Sequence, residues 1–407
     1  MATVPSDATA PAGSRLEAAS LRADVEALSA IHRPSASPGE REAAEWLVVR
    51  LAEHGAEARI EVEDGHGTYW WPLGVASAAG ALAGVAALRG RRLIGAGLGA
   101  VATAVLVDDL PPGGRRLLRR ALRRRPMHNV VAEVGPRGAE RTIVLVGHHD
   151  AAHSGLLYHP AIPEILFRRF PKILERSNTS PGLMWPVVGG PAAVVAGAVT
   201  GSRLLTKLGM IVSAGSALTF VDIGARGAVP GANDNATGVA ALLAIAASLA
   251  GRPTESTRVM LVSTSEEATC EGMQAFCERH LRDLPVDRTF FLSLDTLGSP
   301  HLLALRGEGM LGMVEYPRDS LELLDGLADE LGIWLFPNLR LRNATDGVYP
   351  LNAGYQCASL CSCTELKQPG NYHWPTDTPE NVDYGTLTDA VRLTEAVVRR
   401  LDERWLS

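Results

Sequence analysis

Two kinds of hydrophobic pattern divide the chain. In the first, apolar positions recur with the period of a regular element. Leu21, Val25, Leu28 and Ile31 fall at helical spacing and predict a helix that Pro34 ends. Residues 37–55 predict a second helix, with Ser37 as N-cap, Pro38 at the first helical position and Gly55 closing it. Positions 57–62 alternate and predict a strand. Two more strands are expected at 129–134 and 142–146. Beyond residue 229, strands at 259–264, 290–295, 301–305 and 333–336 alternate with helices at 239–250, 270–281, 319–331 and 386–401. Alternation of this kind predicts an α/β fold, with a mostly parallel mixed central sheet and helices on both faces.

The second pattern is apolar on every side. Residues 70–88 carry no charge and open with the aromatic cluster Tyr69, Trp70, Trp71. A turn bearing Arg89, Arg91 and Arg92 leads into a second apolar run at 93–107. The plan repeats at 183–202, turns at Arg203 and Lys207, and runs on at 208–221. The longer runs match the thickness of a bilayer, and the aromatic residues suit its interface. Membrane lipid is therefore an expected partner, and the alternative is a pair of helical hairpins buried in a soluble protein. Seven arginines between 115 and 125, with Leu117, Leu118, Ala121 and Leu122 interleaved, predict a basic amphipathic helix on anionic lipid. Basic residues are more numerous on the domain side than at the hairpin tips, which places the main domain in the cytoplasm. The expected organisation is a disordered leader at 1–15 and one domain at 16–402, with insertions at 69–126 and 156–227.

Charge and cysteine content narrow the field. A net charge of −6 gives no reason to expect nucleic acid as a partner, and the arginine run lacks interleaved aromatics. The five cysteines have no zinc-ribbon spacing and suit a reducing compartment, although Cys357 could pair with Cys361 or Cys363 if oxidised. The first residues lack the basic and apolar regions of a secretory signal.

Candidate chemistry gathers at strand ends. The 259–264 strand runs into Glu266 and Glu267, two adjacent carboxylates that a bound cation would reconcile. His148, His149 and Asp150 end the 142–146 strand, Asp234 opens a helix, Asp295 ends another strand, and His373 lies in a late loop. The carboxyl edge of a parallel sheet collects such residues. Histidines and carboxylates without thiolate suit zinc, and also manganese or cobalt. Two histidines and three carboxylates suffice for two metals bridged by one carboxylate. Strand alternation puts His148 and Asp150 on one face and His149 on the other, which favours His148 as the ligand. His153 and His159 are expected to be structural, and Asp346 is as suited to a structural role as to a catalytic one.

GHHD, GANDNATGVA, the Glu-Glu pair, SLDTLG and HWPTD occur in the order found in the M28 family of co-catalytic zinc peptidases, which the chain resembles over about 20–66, 127–155 and 228–402. The resemblance implies a two-zinc exopeptidase acting on peptides, most readily an aminopeptidase. It implies that His148, Asp234 and Asp295 hold one metal, that Asp234, Glu267 and His373 hold the other, and that Glu266 is the general base. Asp150 would orient the imidazole of His148, and Asp377 would support the late loop. The departure from the family is the pair of insertions. His148 and Asp234 stand 86 positions apart, with the second apolar hairpin between them. Insertions at the active-site edge would reshape access, so a carboxypeptidase, an amidohydrolase of N-acylated or lipid-linked amides, and a non-catalytic membrane scaffold are the alternative readings. Oligomeric state is not indicated.

Overall fold

The structure is a computed structural model that describes residues 12–112, 116–136, 138–265 and 269–405. Helices α1 (Ala12–Ser29) and α2 (Pro38–Glu53) precede strand β1 (Glu57–Gly65). The first apolar insertion forms α3 (Trp70–Leu88) and α4 (Arg92–Asp109), and β2 (Arg125–Val134) and β3 (Arg141–His148) follow. The second insertion forms α5 (Ala161–Arg169), α6 (Pro171–Arg176), α7 (Met184–Thr200) and α8 (Arg203–Ala225). Next come α9 (Thr237–Gly251), β4 (Thr257–Thr264), α10 (Glu271–His280), β5 (Thr289–Leu294) and β6 (His301–Ala304). The chain ends with the short β7 (Gly307–Glu308) and β8 (Val314–Glu315), α11 (Arg318–Leu331), α12 (Val348–Asn352), β9 (Gln356–Cys363) and α13 (Tyr384–Glu403).

Seven strands form one sheet in the order β1-β2-β4-β3-β5-β9-β6. Its centre, β4-β3-β5-β9, is parallel, while β1, β2 and β6 run antiparallel to their neighbours. Side-chain alternation divides the core. Ile143 and Leu145 face one layer with Val259 and Leu261, while Val144 and Val146 face the other with Met260 and Val262. Helix α9 lies against the sheet in the first layer. The segment Ala232–Gly251 is apolar and long enough to cross a membrane, but it is wrapped by the domain. A helix hydrophobic all round can be buried by protein as well as by lipid.

The two insertions form a single unit, in which α3, α4, α7 and α8 pack together as a four-helix bundle. Its interior is built of small residues. A Cβ on Gly190 would stand 2.6 Å from Ser213 Oγ, and one on Gly209 would stand 2.6 Å from the Gly190 carbonyl oxygen. The large side chains point outward instead, among them Val75, Leu82, Ile94, Val101, Leu208, Ile211 and Leu218. Small residues at helix contacts and large apolar residues outside are the arrangement expected of helices surrounded by lipid. Helices α3 and α8 are each long and apolar enough to cross a membrane.

Two expectations are corrected. The arginine run forms no amphipathic surface helix among the described residues. It makes a short 3₁₀ turn, Arg119–Ala121, and then enters β2. Arg116 and Arg119 are buried rather than facing lipid. Residues 333–336 form no strand, because only Phe336 reaches the sheet, donating its N–H to the Leu302 carbonyl at 2.7 Å. The leader at 1–15 lies outside the described residues apart from 12–15, which belong to α1.

The buried arginines fasten the bundle to the domain. Arg119 clasps Asp109, at the end of α4, through bonds of 2.7 and 2.8 Å and donates to the Thr68 carbonyl at 2.9 Å. Arg116 donates to the Thr269 carbonyl and to the Tyr349 hydroxyl, both at 2.7 Å. Glu271 lies 3.5 Å from Arg116 and 3.6 Å from Arg119, and His66 Nδ1 lies 2.8 Å from it. Removing one member leaves a buried uncompensated charge, which costs about 3–5 kcal/mol. Arg119→Met is therefore expected to lower the thermal unfolding midpoint markedly. The double variant Asp109→Leu/Arg119→Met should recover most of that loss in the same melting experiment.

Candidate metal centre

The parallel strands deliver their carboxyl ends to one edge of the sheet. His148 ends β3 opposite Thr264, the last residue of β4. Asp295 follows β5, and its N–H donates to the Leu360 carbonyl of β9 at 3.1 Å. The Asn-Asp-Asn-Ala-Thr segment before α9 supplies both a ligand and its support. Asn233 Oδ1 accepts from the Gly298 N–H at 2.6 Å, Asn235 Oδ1 from the Thr296 N–H at 3.1 Å, and Thr237 Oγ1 from the Leu297 N–H at 3.0 Å. These three side chains hold the turn after Asp295, while the residue between the two asparagines, Asp234, faces the histidines.

Asp234 is nearly out of solvent. Its Oδ1 lies 3.3 Å from His148 Nε2, and its Oδ2 lies 3.1 Å from His373 Nε2. His148, Asp234 and Asp295 each offer a ligand atom within 4.8 Å of the others. Burial alone would raise the pKa of Asp234, but the two imidazoles hold its carboxyl well below the usual range. Burial would likewise lower the pKa of His148, but Asp150 and Asp234 outweigh it and raise the imidazole well above its ordinary value. Both ring nitrogens of His148, and Asp234 Oδ2, are buried without a hydrogen bond. Such atoms in a set of imidazole and carboxylate donors fit a divalent cation of the zinc type.

The supporting residues are ordered around this cluster. Asp150 Oδ1 stands 3.4 Å from His148 Nδ1, and its Oδ2 accepts from the Ser35 hydroxyl. Asp377 accepts from the Asn233 N–H at 2.7 Å and the Asp234 N–H at 3.1 Å. Arg33 is fully buried and joins the two ligand-bearing segments. Its Nε donates to the His149 carbonyl, its Nη1 to the Pro230 carbonyl and its Nη2 to the Gly231 carbonyl, each at 2.6 Å. The sequence reading did not single out Arg33. A lone arginine before Pro34 carries no local signal, and its role exists only once residues about 200 positions apart meet.

His149 turns away from the cluster. Its Nδ1 lies 2.9 Å from Ser263 Oγ and its Nε2 3.2 Å from Glu40 Oε1, and Glu40 Oε2 also bonds His128 Nδ1 at 2.9 Å. His153 bonds the Arg226 carbonyl at 2.7 Å, and His159 packs against Trp374. Asp346 accepts from Thr264 Oγ1 at 2.6 Å, beneath the end of β4. All five cysteines are free thiols. Glu266 and Glu267 lie outside the described residues, but both flanks of their loop are fixed. Asn129 Oδ1 accepts from the Ser265 N–H at 3.1 Å, and the Gly272 N–H donates to the Ser265 carbonyl at 3.1 Å. A Cβ on Gly272 would stand 2.1 Å from that carbonyl oxygen, so position 272 takes only glycine.

The insertions supply the cleft wall. Tyr158 meets His373 edge-on at 4.7 Å, and Tyr372 stacks on the same ring at 3.9 Å. Tyr69 and Leu73 of the first hairpin and Met184 of α7 line the cleft with His373. On the opposite side, the loop at 342–346 is braced by buried Glu308, which accepts from the Thr345 N–H at 2.6 Å and from the Tyr316 hydroxyl.

Two measurements test this architecture. Asp150→Asn is expected to weaken metal affinity by roughly 10–100-fold, the usual cost of losing a partner behind a ligand. His149→Ala should leave metal stoichiometry unchanged while lowering the melting temperature. The second measurement concerns Glu308, whose carboxyl is pushed up to about 7, chiefly by burial. A carboxyl raised in the folded state binds more protons there than in the unfolded chain, so its contribution to stability falls as pH rises from about 4.5 to about 7. Relative to Glu308→Gln, the native chain should lose on the order of 3 kcal/mol across that window.

Residues 219–398 match the sequence profile described as Peptidase family M28. No match emerges among curated protein sequences. Among solved structures, the fold is similar to an aminopeptidase from Aneurinibacillus sp. strain AM-1, at 14% identity and a TM-score of 0.54, covering 94% of this chain and 93% of that one. It is similar to a zinc aminopeptidase from Bacillus subtilis at 11% identity and a TM-score of 0.55, covering 94% of each chain. It is also similar to a glutaminyl cyclase from Tannerella forsythia at 15% identity and a TM-score of 0.55, covering 94% of this chain and 98% of that one. At these identities the likeness is one of fold. The matched stretch, residues 219–398, contains Asp234, Asp295 and His373, and through it the chain is similar to peptidase family M28.

Proposed function

We propose that the chain is a membrane-embedded exopeptidase that uses two metal ions, and that it acts as an aminopeptidase. The observation that carries this reading is the placement of Asp234, with a histidine facing each of its oxygens at 3.3 and 3.1 Å. A carboxylate placed in this way suits a bridge between two cations. His148 and Asp295 would complete one site, and His373 and Glu267 the other. Bound metals would polarise the scissile carbonyl and acidify the attacking water.

The remaining roles belong to the chain's own residues. Glu266 takes the proton of the attacking water and returns it to the leaving amine nitrogen. Asp150 holds the His148 ring by its Nδ1, and Asp377 holds the backbone on either side of the bridge through the Asn233 and Asp234 N–H groups. Tyr158 and Tyr372 confine the His373 ring.

The bundle is proposed to span the bilayer. Its small-residue interior and apolar exterior support this, as do the lengths of α3 and α8. The tips carry Arg89, Arg91, Arg92, Arg203 and Lys207, whereas the domain side carries Arg120, Arg123, Arg124, Arg125, Arg168, Arg169, Lys172, Arg176 and Arg226. That asymmetry supports a cytoplasmic domain. A second reading keeps the same metals and base but takes N-acylated or lipid-linked amides. It is favoured by an apolar groove walled by Leu166, Phe170 and Trp185, which shares Ser180, Pro181 and Arg342 with the pocket beside Asp295.

Hydrolysis of free and N-blocked aminoacyl anilides by the purified protein tests the activity. Cleavage of the free series is expected, lost on chelation and restored by zinc. Glu266→Gln should lower kcat by roughly 10²–10⁴-fold while two metals per chain are retained. Retention of full activity by Glu266→Gln would sink the assignment of the base.

A further inference from the structure

Beside Asp295 the cleft opens into an apolar pocket lined by Leu303, Leu305, Leu339 and Leu341. With its mouth it encloses about 760 Å³. The pocket does not end where a single amino-acid side chain would. Ser180, Pro181 and Arg342 line both this pocket and a second apolar groove of about 1090 Å³ that is open on one side. Leu166 and Phe170, from α5 and its end, and Trp185 of α7 form the walls of that groove. Within the groove about 460 Å³ can be filled, the size that holds a drug-sized ligand, and the pocket beside Asp295 continues it.

The groove lies at the foot of the bundle. Trp185 stands in the first turn of α7, and Trp71 in the first turn of α3, at the ends that join the domain, and both are exposed. Around the groove, Ile162, Ile165, Leu166 and Phe170 are also exposed, next to Arg168, Arg169 and Lys172. An exposed apolar strip edged with cations, continuous with an apolar bundle, fits a segment lying at a lipid surface.

Charge indicates what enters the groove. Arg342 lines the pocket, the groove and the part of the cleft that contains His373. Its guanidinium lies over the Trp185 ring at 4.5 Å, and its Nε donates to Thr179 Oγ1 at 3.3 Å. Among the described residues it has no acidic partner. A guanidinium held by stacking and left without a carboxylate is suited to receive one from a ligand.

We propose that the groove and pocket take the hydrocarbon chain of a bilayer-resident, single-chain amphiphile, with Arg342 receiving its carboxylate. The substrate class is then long-chain N-acyl amino acids and N-acyl peptides. This rests on the second reading above, in which the same metals and base cleave an N-acyl amide rather than the bond beside a free amino end. The acyl carbon–nitrogen bond breaks, water's hydroxyl goes to the acyl carbon to leave a fatty acid, and its proton goes to the nitrogen of the released amine.

The test uses the full chain in lipid nanodiscs with a photoactivatable palmitate bearing a diazirine near its tail. Adducts are mapped by mass spectrometry. The expected result is saturable labelling within 163–185, displaced by unlabelled palmitate and not by butyrate. Leu166→Asp, on an exposed position, should lower that labelling at least tenfold, and Arg342→Gln should weaken the displacing palmitate several-fold. Glu266→Gln should label as the native chain does, because binding and turnover are read separately. Labelling spread over the lipid-facing sides of α3 and α8, and indifferent to Leu166→Asp, would overturn the proposal even if aminoacyl anilides are hydrolysed. Saturable labelling of the groove would uphold the chain site even if they are not.

Discussion

A carboxylate buried between two imidazoles sets the terms for the rest of the domain. Asp234 has almost no contact with solvent, and His148 and His373 face it from two sides. A buried ion is expensive unless its neighbours compensate it. Its neighbours must also be fixed, because compensation falls off with distance and orientation. Much of the surrounding hydrogen bonding does this work. Asn233, Asn235 and Thr237 anchor the turn after Asp295, Asp377 receives the backbone N–H groups of Asn233 and Asp234, and Arg33 joins the His149 carbonyl to the residues leading into the bridge.

The membrane-like bundle and the hydrolytic cleft are coupled rather than merely adjacent. The bundle is attached through buried ions, Arg116 and Arg119 against Asp109 and Glu271. Glu271 opens α10, close behind the loop that carries the paired glutamates. The same insertions place Tyr69 and Tyr158 at the cleft. Access to the metal centre therefore runs past residues that the insertions brought, which is how a shared hydrolase fold acquires a different route for its substrate.

Some readings failed for a common reason. The arginines of 115–125 have the composition of a lipid-surface helix, yet two of them are buried because acids distant in sequence reach them. Local charge pattern holds no record of such partners. Residues 333–336 are rich in strand-forming side chains, but among the described residues only Phe336 bonds the edge strand β6, through the Leu302 carbonyl, so they follow the sheet without joining it. The groove at Leu166, Trp185 and Arg342 left no trace in any local pattern, since its walls come from α5, α7 and the loop after α11.

What the sequence determined by itself was periodic or contiguous: the alternation that makes a mixed sheet covered by helices, the apolar runs of bilayer length, and the order of acidic and histidine residues at strand ends. Each of these is written in neighbouring residues, because strand and helix periods are local properties of the chain. Tertiary structure alone decided that the two hairpins share one bundle, that an apolar helix such as α9 is hidden by protein rather than lipid, and that Arg33 and Arg119 are structural cations. Those outcomes depend on burial and charge compensation between segments far apart in the chain, and both are set only when the segments pack.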